Sequence, residues 1–296
     1  MSFSSDVKKR ISTIENECEM CNRAQLAAMV RYMGKFREYD ILLTTENESV
    51  IKCQQRLILE TTGIKTEYEY KKKSRLYEMS IENDDVIDNL SDLLMLFDDD
   101  YNIFDCCKMS YIRGAFLGGG SISDPKKNYH LEIDAKYEPE ADRLCNMLKS
   151  MGVVAKITNR KGHYVVYVKE YSAIADILGV IGDSMSALEI YNIFVEKDVR
   201  NSINRQMNCE NANMDKVADA YKKHLSAIEI VKKTIGIEKL PDVLQEIARV
   251  RVEYPEDSLK QLGERLENPI GKSGVNHRLN RIVQIADEIR QTEKNS

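Results

Sequence analysis

One segment of this chain occurs twice. Residues 21–34 read CNRAQLAAMVRYMG and residues 107–120 read CKMSYIRGAFLGGG. The leading cysteine, the first aliphatic residue (Leu26 or Ile112) and the terminal glycine all recur at an offset of 86 residues. The stretches downstream of the two copies match in kind. A strand-like run comes after Gly34, over 39–45, and a more regularly alternating one comes after Gly120, over 129–135. Amphipathic helical patterns then cover 50–62 before Gly63 and 139–151 before Gly152, where glycine supplies a left-handed C-cap. Two further strand-like runs come next in each half, at 64–70 and 76–81 and again at 153–158 and 163–168. A helical pattern closes each half, over 86–97 and 171–181. The order α-β-α-β-β-α, used twice, predicts an α+β domain with an internal pseudo-twofold axis over residues 1–195, its repeats spanning about 20–100 and 106–190.

Beyond Phe194 the character changes. Asn201, Asn204, Asn208, Asn211 and Asn213 crowd a polar stretch, and a helical pattern then runs from Met214 to about Thr234, with Gly236 as its break. Residues 196–237 are expected to form a connector containing a helix. The remainder, 238–292, reads as three short helices. Pro241 suits a first helical position, and Tyr254 before Pro255 ends that helix, because a residue preceding proline avoids the helical basin. Ser258 caps the next helix, and a tight turn through Asn268, Pro269 and Gly271 leads into a last helix over 272–285. Two helices joined by such a turn predict a helix-turn-helix in an all-α domain.

Composition narrows the function. With 43 Lys and Arg against 48 Asp and Glu the net charge is −5, so any nucleic-acid binding must use local basic faces. The N-terminus carries no apolar run of a signal peptide, and no stretch is long and apolar enough for a membrane helix. The odd number of scattered cysteines, 7, fits a reduced, cytoplasmic chain. Cys18, Cys21, Cys106 and Cys107 begin the two repeat helices, and pseudo-symmetry would bring those starts together. A four-cysteine zinc site is one reading. Adjacent cysteines rarely both ligate one metal and small buried thiols are common, so packed thiols and no cofactor are the expectation. The histidines show no ligand spacing.

The repeated segments resemble the LAGLIDADG helices of homing endonucleases, which pack side by side on a pseudo-twofold axis. Together with residues 113–121 (RGAFLGGGS), 200–205 (RNSINR) and 258–279, they make the whole chain similar to the WhiA family, bacterial regulators of sporulation and cell division that join an endonuclease-like domain to a helix-turn-helix. Nucleases of this fold place an acid just before each terminal glycine, where carboxylates suit Mg²⁺. Here those positions hold Met33 and Gly119, so the resemblance implies a domain without nuclease chemistry. The small residues Ala27, Ala28, Gly114, Ala115 and Gly118 still permit close helix approach.

On a helical wheel Val275, Leu279, Ile282 and Ala286 face inward, leaving Ser273, Asn276, His277, Asn280, Arg281 and Gln284 outward with Lys272 and Arg278 flanking. No acid occurs from Lys272 to Gln284. Asn and Gln can read adenine, while Arg and Lys serve guanine or phosphate. These residues, with Ser258, are the expected contacts to double-stranded DNA. Secondary contacts are expected from Lys71, Lys72, Lys73, Arg75, Lys126, Lys127, Arg160 and Lys161, with Lys65 and Lys156 beside them, and from Arg200 and Arg205, whose motif suggests a constrained turn or a DNA contact. The acids at 84–85 and 98–100 would be excluded from that surface. The expected function is a sequence-specific transcriptional regulator in the cytoplasm, at the nucleoid, that is not an enzyme. The alternatives are a divergent endonuclease and a module docking on RNA polymerase or another transcription factor.

Overall fold

The structure, a computed structural model, describes residues 2–82, 84–96, 105–160 and 162–294. Phe97, the acids at 98–100 and Lys161 therefore lie outside the described residues. The chain divides into two compact units, Met1–Asp198 and Val199–Ser296.

In the first unit, α1 (Phe3–Ile11) precedes two copies of one arrangement. The first copy is α2 (Glu19–Met33), β1 (Lys35–Phe36), β2 (Ile41–Thr45), α3 (Glu48–Thr62), β3 (Glu69–Lys71), β4 (Leu76–Ile81) and α4 (Asp84–Leu96). The second is α5 (Asp105–Gly119), β5 (Gly120–Ile122), β6 (Leu131–Ala135), α6 (Glu138–Ser150), β7 (Lys156–Arg160), β8 (His163–Val168) and α7 (Tyr171–Val180). Each copy forms a four-stranded antiparallel sheet, in the orders β1-β2-β4-β3 and β5-β6-β8-β7. The expected repeat and α+β class are present, with one addition: a strand of two or three residues succeeds each long helix. Runs that short carry no readable alternation. The strand expected over 64–70 shrinks to β3, whose residues are all exposed on a sheet edge. Helices α3 and α6 end as expected at left-handed glycines, Gly63 (φ 74°) and Gly152 (φ 83°).

Helices α2 and α5 pack against each other through nearly bare backbone. A Cβ on Gly114 would lie 2.3 Å from the Gln25 carbonyl oxygen, and one on Gly118 would lie 3.0 Å from Tyr32 Cβ. Ala28 lines the same seam, its Cβ 2.9 Å from the position of a Gly114 Cβ, and Ala27 and Ala115 are fully buried as well. Asn16 pins the pair from one end. Its amide donates to Asn22 Oδ1 and Gln25 Oε1, both at 2.9 Å, while its Oδ1 accepts from Ser110 and Arg113 at the same distance. Arg113 is buried yet satisfied, since Nε also donates to the Ile181 carbonyl at 2.7 Å.

The second unit contains most of α8 (Ser184–Thr234), a 3₁₀ turn at Ile237–Lys239, α9 (Asp242–Glu253), α10 (Leu259–Glu264) and α11 (Lys272–Lys294). Its core joins Ala227, Ile228 and Val231 of α8 to Leu244 and Ile247 of α9, Leu262 of α10, and Val275, Leu279, Ile282 and Ala286 of α11. The inward stripe of the last helix is the one its wheel specifies. The asparagine-rich stretch differs from expectation, because α8 continues through it unbroken. Val195, Val199, Ile203 and Met207 recur every fourth residue, a helical spacing that the weakly helix-forming asparagines disguise. Arg200 and Arg205 thus stand on a helix and not in a turn, and five residues apart they cannot share one face. Among the described residues, no helix is long and apolar enough to cross a membrane.

Candidate nucleic-acid interface

The three C-terminal helices are locked by local sequence chemistry. Ser258 forms a capping box with Gln261: its backbone N–H donates to Gln261 Oε1 at 2.9 Å, and its hydroxyl accepts from the Gln261 N–H at 3.4 Å. Ser258 therefore has a capping duty before any contact with DNA. The turn after α10 folds back on that helix, where the Ile270 N–H reaches the Gly263 carbonyl at 3.1 Å. A Cβ on Gly263 would lie 2.1 Å from the Ile270 carbonyl oxygen, so only glycine lets the turn close this tightly. Buried Arg251 of α9 ties the preceding loop, donating to the Asp257 carbonyl at 2.8 Å while stacking over Tyr221.

These constraints present the outer face of α11. Lys272, Ser273, Asn276, His277, Asn280, Arg281 and Gln284 are all exposed, while Val275, Leu279 and Ile282 beneath them are buried. The side chains of Lys272, Ser273, Asn276, His277 and Asn280 enter no ion pair or hydrogen bond among the described residues. Arg281 lies 3.0 Å from Gln284 Oε1 and 4.0 Å from a Glu288 carboxylate oxygen. Arg278 is different: half-buried, it lies 3.9 Å from Glu246 of α9. The outward face thus divides into free polar groups in the first turns and a cation anchored to the scaffold.

The sheets offer a less uniform surface. Lys72, Lys73 and Arg75 lie in the β3–β4 turn, and Arg160 lies at the matching end of β7, beside the β8 turn. Lys126 and Lys127 occupy the turn between β5 and β6, and Lys65 precedes β3 outside any strand. Strand register places acids on the faces turned away from the core: Glu69 and Glu78 are partners in the first sheet, and Glu132 and Asp134 oppose Tyr167 and Val165 in the second. Two of the expected cations are already engaged, Lys71 with Glu69 and Arg160 with Glu132. The spacing of Glu69 and Lys71 on one strand is legible, but Glu78 and Glu132 meet their neighbours only once the register is fixed.

At the nuclease-like acid positions the fit is poor. Met33 is buried at the end of α2. Gly119 ends α5 where a Cβ would lie 2.5 Å from the Asp134 carbonyl oxygen, so no side chain is accommodated without moving β6. The Lys136 ammonium donates to the Gly34 carbonyl, placing a cation at the α2 end, and burial lowers its pKa. Behind it, Glu140 is buried 3.7 Å from Arg31, its carboxyl raised by desolvation against the pull of that guanidinium.

Residues 203–286 match the family described as the WhiA C-terminal HTH domain, and residues 108–200 match the WhiA LAGLIDADG-like domain. A probable cell division protein WhiA of Alkaliphilus metalliredigens is 38% identical, over 98% of this chain and 99% of its own. The chain belongs to the WhiA family. A WhiA relative from Caldicellulosiruptor bescii is 40% identical over 98% of this chain and 96% of its own. The crystal structure of full-length DUF199/WhiA from Thermotoga maritima is similar in fold, with a TM-score of 0.64 and 26% identity over 97% of this chain and 99% of that one. The matched WhiA HTH region includes α9, α10 and the outward residues of α11 through Gln284.

Within this WhiA-type repeat domain the paired helix starts also meet. Cys18 and Cys21 sulfurs are 3.4 Å apart, Cys21 and Cys107 sulfurs 3.7 Å apart, and with Cys106 all four lie within 4.8 Å of one another. Burial pushes the Cys21 thiol up to about 11 and raises Cys107 further, whereas backbone N–H groups of the α2 start, Cys21 foremost, lower exposed Cys18.

Proposed function

We propose that this chain is a sequence-specific, double-stranded DNA-binding transcriptional regulator of the WhiA type, acting in cell division or sporulation without nuclease activity. The observation that carries this reading is the acid-free face of the first turns of α11, where Lys272, Ser273, Asn276, His277 and Asn280 stand unpaired above a fully buried stripe. A helix so presented suits the major groove, whose edges asparagine reads bidentately at adenine. Asn276, His277 and Asn280 act as base readers, with Ser273 and Gln284 beside them. Lys272 and Arg281 contact phosphate, Arg278 holds α11 to α9, and Ser258 caps α10. Residues 238–292 form the DNA-binding unit and 1–195 the endonuclease-like unit, while 196–237 are the helical connector whose end packs Ala227, Ile228 and Val231 into the DNA-binding unit's core.

The endonuclease-like unit adds non-specific affinity through Lys72, Lys73, Arg75, Lys126, Lys127 and Arg160 at its turns, because the acids on the sheet faces oppose phosphate. Buried Met33, the tight fit at Gly119 and the Lys136 ammonium argue against a metal-dependent cutting site. The relatives' name as cell division proteins supports the cellular role, and a DNA-reading regulator of this kind works at the nucleoid, where RNA polymerase or another transcription factor is its second partner. Selection of duplexes from a random pool by the full chain tests the reading. A recurrent motif, with no magnesium-dependent cutting of supercoiled plasmid, is expected. Binding with no sequence preference, or cutting abolished by EDTA, would overturn it.

A further inference from the structure

The four sulfurs of Cys18, Cys21, Cys106 and Cys107 come from both halves of the repeat domain and converge where α2 and α5 begin. A zinc–thiolate bond of about 2.3 Å in a tetrahedron requires sulfur separations of roughly 3.8 Å. The observed 3.4 and 3.7 Å, with every pair inside 4.8 Å, bracket that requirement. A cubane iron–sulfur cluster would hold its thiolates much farther apart. Four neutral thiols need no such convergence, since a small apolar side chain would fill the same space at least as well.

The surroundings suit an anionic metal–thiolate group. Both helices run for 15 residues away from the cluster, so their partial positive ends point at it together. Buried Arg113 lies close enough to interact with Cys21. Cys18 is exposed and Cys106 half-buried, which leaves an entry path, while Cys21 and Cys107 close the inner side. The objection that adjacent cysteines seldom share a metal loses force here, because Cys106 and Cys107 stand on the first turn of α5 with both sulfurs inside the cluster.

We propose that Cys18, Cys21, Cys106 and Cys107 bind one Zn²⁺ as a closed, structural tetrathiolate that staples the two halves of the repeat domain at the start of the paired helices. The ion displaces the thiol protons to solvent and undergoes no redox change. Its effect is that of a clip closing the long loop between Cys21 and Cys107, so it stabilises the helix pair against separation. The inference stands independently of whether the chain reads DNA.

The test uses the full chain, isolated under reducing conditions without chelator. Elemental analysis should find about one zinc per chain. Replacement by Co²⁺ should give the sulfur-to-cobalt charge-transfer band and the intense visible bands of a tetrahedral tetrathiolate. Zinc should slow alkylation of Cys18 and Cys106 more than tenfold and leave exposed Cys209 unprotected. Cys18→Ser, at an exposed position that the fold tolerates, should lose most of the bound zinc, while Cys145→Ser and Cys209→Ser keep it. A folded chain that takes up no zinc from excess and melts at the same temperature with and without chelator would overturn the proposal. So would iron in place of zinc, or a Cys18–Cys21 disulfide in protein released directly into alkylating agent.

Discussion

The Arg278 guanidinium of α11 lies 3.9 Å from the Glu246 carboxylate of α9, with both side chains less than one-third exposed. This ion pair crosses the two helices that set the pitch of the outward face. The same carboxylate also accepts the Glu267 backbone N–H at 2.6 Å, so α9 fixes the turn between α10 and α11 as well. A sequence wheel counts Arg278 with the DNA-facing cations; because the ion pair ties it to α9, we propose that it positions α11.

Arg278→Ala and Glu246→Ala should therefore be coupled in stability. A double-mutant cycle by chemical denaturation should give an interaction of about 0.5–1 kcal/mol, in the range of partly exposed pairs. Both variants should weaken cognate and scrambled DNA alike. A loss from Arg278→Ala confined to the cognate site would instead make it a base reader.

The acid positions give a second expectation. Gly119→Asp must displace the Asp134 carbonyl or distort the end of α5, and overpacking of this kind costs about 1–3 kcal/mol. Met33→Asp buries a carboxylate beside the Lys136 ammonium. Thermal melts should show Gly119→Asp destabilised, and the double variant should still leave supercoiled plasmid intact in Mg²⁺. Efficient cutting by either protein would show that the scaffold retains a metal-competent pose.

His224 supplies a pH dependence. Burial, reinforced by Arg251 and Lys223, holds its imidazole down to about 4, against 6.5 for an ordinary histidine. Above pH 6.5 the ring is neutral in both folded and unfolded chains, and the full stability is present. As pH falls toward 4 the unfolded chain takes up a proton that the folded one refuses, so stability declines and then levels off. The loss is about 3 kcal/mol at most. Comparing denaturation of the native chain and His224→Gln from neutral pH down to the folded pKa isolates it. Parallel curves for the two proteins would contradict this assignment.

Helix α8 carries a prediction about local stability. Every residue from Asp198 to Asp219 is exposed, and the asparagines there are weak helix formers. Backbone amides in this stretch should exchange orders of magnitude faster than those of the buried α2–α5 seam, and limited proteolysis should begin here. Protection equal to that of α2 would mean that another surface covers this helix.

The features legible in the sequence are those with long periods. The offset of 86 residues exposes the pseudo-twofold, and the helical stripe of α11 specifies its inward face. Strands β1 and β5 are too short to alternate visibly, and α1 lies outside the repeat that reveals the rest. Asparagines hide the course of α8, although its apolar spacing is present. Glu69 lies two residues from Lys71 on one strand, a legible same-face spacing, whereas Glu132 meets Arg160 only through the folded sheet. The cysteine cluster lies between these cases. The pseudo-symmetry brings all four cysteines to the paired helix starts, but only the fold shows their sulfurs within 4.8 Å of one another.

Whether the free polar face of α11 reads sequence is tested most directly by binding of the full chain to a selected duplex and to its scrambled version, at two salt concentrations. Asn276→Ala, His277→Ala or Asn280→Ala should each cost about 1–3 kcal/mol on the selected duplex and little on the scrambled one. Lys272→Ala and Arg281→Ala should weaken both and lower the salt slope by about one unit each. Val275→Asp, which buries a charge, should unfold the unit altogether. The combined Asn276, His277 and Asn280 alanine variant should stay folded and lose its preference for the selected duplex. If it instead keeps that preference by the original margin, α11 is not the reading helix.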